Sequence, residues 1–175
     1  MRTACLLLAL AVPGSALALP ENSPVPGGVA VIDLGPAGLS VPTARRGEQP
    51  LAVVANRGRW FALVGIPLDT APGMFEITLF SGLTASVRQV AVRSKAYPEQ
   101  RLTIKDKRKV DPDPEDLARI AREREITDAV KRRFSPEMPD TDFALPASGP
   151  LSSRFGLRRI FNGQPRNPHA GLDVA

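Results

Sequence analysis

The chain is predicted to be mainly β, with an N-terminal immunoglobulin-like β-sandwich, a helical connector and the start of a second antiparallel β domain. Three observations lead there. Short apolar runs recur between Pro and Gly punctuation over the first hundred residues, a single helix-start signal follows a charge run, and a second set of strand and turn signals closes the sequence. At 175 residues and 43% hydrophobic content, the chain can bury one modest core or two small ones. The composition excludes collagen, coiled-coil and fully disordered classes.

The first 18 residues read as an export signal. Arg2 makes a short positive start, ACLLLALAV is a brief apolar run, and Ala16-Leu17-Ala18 offers the small residues a signal peptidase accepts, so cleavage is expected after Ala18. The run is too short to span a bilayer, so no stable membrane insertion is expected. Cys5 lies inside the removed segment, and the mature chain would rely on packing without disulfides. The expected location is the periplasm or the exterior.

Residues 24–104 supply the β-sandwich. The runs are VAVIDL, LAVV, RWFALVGIPL, MFEITLF, SVRQVAV and RLTI, six or seven strands in about 80 residues. In MFEITLF, Phe75, Ile77 and Leu79 share one face while Glu76 and Thr78 share the other. No His or Cys occurs in this stretch, its acidic residues are scattered, and Trp60, Phe61, Phe75 and Phe80 are read as core rather than as a binding face.

Residues 105–142 form a charged helical connector and linker. Lys105 to Lys109 is a charge run, Asp113 is placed to cap a helix, Pro114 suits its first position, and Glu115 and Asp116 suit the positive end of the dipole. The helix is expected to reach about Phe134. Leu117, Ile120 and Ala121 lie on one side, with Ile126, Ala129, Val130 and Phe134 on roughly the opposite one. The two half-faces predict either two different packing partners or a break near Arg124. The Pro-rich, acidic stretch from Ser135 to Pro150 reads as linker.

Of 23 basic residues, 18 are Arg, giving a formal charge of +5; Arg pairs well with carboxylates and phosphates, so an anionic polymer is a reasonable partner class, while GC-rich coding is the plainer source of the bias.

Residues 143–175 carry the candidate chemistry. SSRFG, the pair Arg158-Arg159, an Asn162-Gly163 turn and then His169-Ala170-Gly171-Leu172-Asp173 follow one another, with Leu172 and Val174 alternating. A His and an Asp four apart are a weak signal alone; their frame strengthens it. The stretch resembles the lysostaphin-type zinc endopeptidases that cut peptide bonds in bacterial peptidoglycan. VGIPLD and PEDLARI, together with the exported β-helix-peptidase order, are similar to one Gram-negative branch of that family. The resemblance implies zinc as cofactor, peptidoglycan as partner with no nucleic acid, and His169 and Asp173 as two zinc ligands. Arg158, Arg159 and Asn162 are candidate substrate contacts, and Arg154 and Arg166 are also able to orient an acidic wall peptide; the alternative for the arginines is exposed strand and loop positions. The family's third ligand and catalytic histidine come from a later HxH motif, and His169 is the sole histidine of this chain. Catalytic zinc needs three protein ligands, so the parent protein is expected to be the peptidase and this chain an inactive N-terminal fragment of it, with no catalytic residue of its own. The alternatives are a non-catalytic wall-binding or amidase-activating adaptor of the same fold, and a periplasmic β-sandwich interaction module.

Overall fold

A computed structural model describes residues 18–135, 137 and 143–175. The expected signal segment lies almost wholly outside the described residues, as do parts of the linker. Six strands make the first unit: β1 (Val29–Pro36), β2 (Thr43–Arg46), β3 (Gln49–Asn56), β4 (Arg59–Gly65), β5 (Gly73–Ser81) and β6 (Thr84–Val92). They join antiparallel in the order β1-β4-β3-β2-β5-β6.

The two layers expected of a sandwich arise from one continuous sheet that folds over on itself. The two edges are tied at one end, where the Arg93 amide after β6 donates to the Pro24 carbonyl before β1 at 2.9 Å. Ala30, Ala62 and Val64 from one half and Ile77, Leu79, Val90 and Val92 from the other share a single core cluster. Burying both halves in one cluster removes their apolar surface from water, at about 25 cal/mol per Å². The period-two reading of β5 holds: Ile77 and Leu79 are buried, Phe75 packs against the same cluster, and Glu76 is exposed. β2 has no counterpart among the apolar runs, since TARR offers one apolar residue, Ala44, which is 2% exposed. Its place in the sheet comes from its neighbours β3 and β5.

Two assignments change. RLTI was grouped with the N-terminal strands, yet its strand, β7 (Glu99–Leu102), pairs in parallel with β9 (Arg158–Phe161) of the C-terminal segment. The helix, α1, spans Pro114–Lys131, stops short of Phe134 and runs unbroken past Arg124. Neither half-face is covered: Leu117, Ile120, Ile126 and Val130 are all about half exposed or more. With little packing to hold it, α1 depends on its ends and on surface pairs. Asp113 accepts from the Asp116 amide at 3.1 Å, Pro114 sits at the start, and Arg119 pairs with Glu123 one turn on. Arg108, from the short 3-10 turn Lys107–Lys109, reaches both Asp113 and Asp116. Its hydrogen bond holds the Asp116 carboxyl below the ordinary carboxylate range. Asp113→Ala should therefore cost α1 about 1 kcal/mol. The check is amide exchange along 114–131, expected to quicken roughly fivefold, since 1.4 kcal/mol is a factor of ten.

The C-terminal strands are β8 (Leu151–Ser153), β9, β10 (Gln164–Pro165) and β11 (Asp173–Val174). Asn162 and Gly163 form the predicted turn between β9 and β10, with φ of 50° and 81°. Positive φ at both central residues is the type I′ geometry that suits the twist of a two-residue hairpin.

Candidate metal centre

β8 and β11 build the site between them. Their antiparallel register sets Asp173 opposite Ser153, and Ser153 is also the residue whose hydroxyl oxygen lies 3.0 Å from His169 Nδ1. The His169 backbone is fastened separately: its carbonyl accepts from the Gly156 amide at 2.7 Å and its amide donates to the Leu157 carbonyl at 2.9 Å. The sequence folds this way because Gly156, with φ of 88°, turns the chain tightly after β8.

His169 is buried, at 6% exposure. Its Nδ1 also lies 3.0 Å from the Arg154 carbonyl. A carbonyl oxygen can only accept, so Nδ1 carries a proton and Nε2 is the ring nitrogen turned to the site. That nitrogen faces Asp173 Oδ1 at 3.2 Å. Two acceptors so close need a proton or a cation between them. For tetrahedral zinc, with Zn–N and Zn–O near 2.0–2.2 Å, two ligand atoms stand about 3.3 Å apart. The observed separation fits that edge, and fixing Nδ1–H on a backbone carbonyl is how metal-binding histidines are commonly oriented.

The remaining candidates divide by side of the sheet. Arg159 reaches the pair: its terminal nitrogen is 3.9 Å from Asp173 Oδ2, and its side chain is 27% exposed. Arg158 turns to the other face, 4.0 Å from Glu99 on β7. Arg166 bonds Asp111 at 2.9 Å and Gln164 at 2.7 Å. Asn162 uses both ends of its amide on Ile104, accepting from the amide at 2.8 Å and donating to the carbonyl at 3.0 Å. It thereby clamps the connector to the β9–β10 hairpin. Arg154 contributes its carbonyl. Ser153 was not singled out in the sequence; its place just before the Arg whose carbonyl holds Nδ1 carries no local signal of a contact made 16 residues later. Among the described residues no group of three or more His, Cys, Asp or Glu is arranged to hold a metal.

The described C-terminal strands bring one oriented imidazole and one carboxylate within 3.2 Å of each other. Residues 22–95 match the family model of the peptidase family M23 N-terminal domain. A crystal structure of a candidate M23 peptidase from Pseudomonas aeruginosa is 39% identical, with a TM-score of 0.65, and the alignment covers 88% of this chain and 56% of that one. The chain is thus similar to peptidase family M23, most directly over the N-terminal domain, and it spans a little over half the length of that relative. No curated protein matches it.

Proposed function

We propose that these residues belong to an exported zinc metalloendopeptidase that cleaves the peptide cross-links of bacterial peptidoglycan, with His169 and Asp173 as two of its three zinc ligands. The observation that supports this most directly is the 3.2 Å approach of His169 Nε2 to Asp173 Oδ1, with the other ring nitrogen committed to a backbone carbonyl. Zinc, when bound, would lower the pKa of a water and polarise the scissile carbonyl. His169 contributes a neutral donor whose orientation is set before the metal arrives. Asp173 contributes negative charge, with its second oxygen turned towards Arg159. The family resemblance places the third ligand and the group that moves protons in an HxH motif, which these residues do not contain, so the 175 residues alone are expected to be inactive.

The test is digestion of purified peptidoglycan sacculi by the whole protein, with zinc content measured on the same sample. Release of muropeptides that stops on chelation and returns with zinc supports the reading. Binding to sacculi with neither zinc nor hydrolysis would replace it with a non-catalytic adaptor of the same fold.

Export is part of this reading. The mature protein is expected to begin at Leu19, because the apolar run is short and Ala16-Leu17-Ala18 follows it. Mass spectrometry of the periplasmic fraction checks it; a mature species that retains Met1 counts against it. No helix among the described residues is long and apolar enough to cross a membrane.

A further inference from the structure

The polar environment of Asp173 extends beyond the peptidase segment to β7. Arg159 sits on β9 in register with Gln100 on β7. Neighbouring strands run about 4.8 Å apart, and register partners in a parallel pair project to the same face. The alternation is visible in the next pair along, where Arg158 approaches Glu99 on the opposite face. Two buried polar atoms lack a hydrogen bond on this face, the Arg159 Nε and the Gln100 Oε1. One is a donor and the other an acceptor, so each is the complement the other needs. An uncompensated buried polar group costs about 1–3 kcal/mol, which favours a small side-chain rotation that joins them. The far end of the same guanidinium is 3.9 Å from Asp173 Oδ2, and Asp173 Oδ1 is the atom that faces His169 Nε2.

We propose that Arg159 is the positioning residue for the Asp173 carboxylate and is itself braced by Gln100 of β7. This rests on the zinc reading given above. Arg159 attracts Oδ2 through its terminal nitrogen, as an ion pair at 3.9 Å, and so keeps Oδ1 turned towards His169. Gln100 fixes the guanidinium plane through Nε. The strand β7, which precedes α1 in the chain, thereby takes part in setting the affinity of a metal site that lies more than 50 residues downstream of it.

The experiment is zinc affinity by chelator competition in the whole protein, with the folded state followed by circular dichroism. Loss of an outer partner of a metal ligand typically weakens binding by about 10–100-fold. Arg159→Ala is expected to fall in that range with an unchanged spectrum, and Arg159→Lys to recover most of the loss, since an ammonium still reaches Oδ2. Gln100→Ala should weaken zinc by less, about threefold to tenfold, and should add nothing in the Arg159→Ala background, because contacts that act through one another are not additive. A raised KM for Arg159→Ala with unchanged zinc affinity overturns the proposal and assigns the guanidinium to a substrate carboxylate. Equal and additive losses from Gln100→Ala and Arg159→Ala overturn the bracing role. His169→Ala is measured alongside: if it leaves zinc binding intact, the zinc reading itself has failed, whereas loss with His169→Ala but not with Arg159→Ala removes only the positioning role.

Discussion

In the whole protein, His169→Ala is expected to abolish peptidoglycan hydrolysis, lowering kcat/KM by at least about a thousandfold, or ~4 kcal/mol at 1.36 kcal/mol per decade. The imidazole is buried and its Nδ1 is already satisfied by Ser153 and Arg154, so its open nitrogen has one use in the site. Removing it takes away one of the two proposed ligands and leaves Asp173 with Arg159 alone. Asp173→Ala should behave alike. Zinc affinity should fall together with activity, by more than about a hundredfold, because a lost ligand costs more than a lost outer partner. The N-terminal sheet should keep its structure in both variants, as none of its core residues belongs to the site. Full hydrolysis by a protein lacking His169, measured on purified sacculi, would end the metal reading.

The second large effect is expected at Gly156. A Cβ built there would lie 2.1 Å from a ring carbon of Tyr97, and the backbone φ of 88° is itself unfavourable for other residues. Tyr97 has little room to yield. Its hydroxyl donates to the Pro26 carbonyl at 2.8 Å, and its ring meets Phe155 edge to face with centroids 6.4 Å apart. Gly156→Ala should cost about 1–2 kcal/mol for the left-handed backbone and about 1–3 kcal/mol for the overpacking. Gly163 separates these contributions. Its φ is 81° with nothing within 4 Å of a Cβ, so Gly163→Ala should show the backbone cost alone. Amide exchange at Gly156 and Arg158, whose protons are held by His169 and Pro98, reports the loss. Equal destabilisation in the two variants would mean that the Tyr97 contact contributes nothing. Since the Gly156 amide also holds the His169 carbonyl, the same substitution should weaken zinc binding in the whole protein.

Local patterns in the sequence were enough to establish the mainly β class, the alternating faces of MFEITLF, the Asp113-Pro114 helix start and the Asn162-Gly163 turn. Each depends on residues within a few positions of one another, where backbone geometry and residue type decide the outcome. What required the tertiary structure has the opposite character. Ala44 enters the core in a strand with almost no apolar signal, because its neighbours on both sides hold it there. RLTI carries the same strand signature whichever sheet receives it, and only the fold brings β7 beside β9. The division of Arg158 and Arg159 between two faces, and the commitment of Asn162 to Ile104 across 58 residues, follow from that pairing. A strand's period of two states which residues share a face; which partner lies across from them is a choice made by long-range burial and hydrogen bonding, and it leaves no local trace.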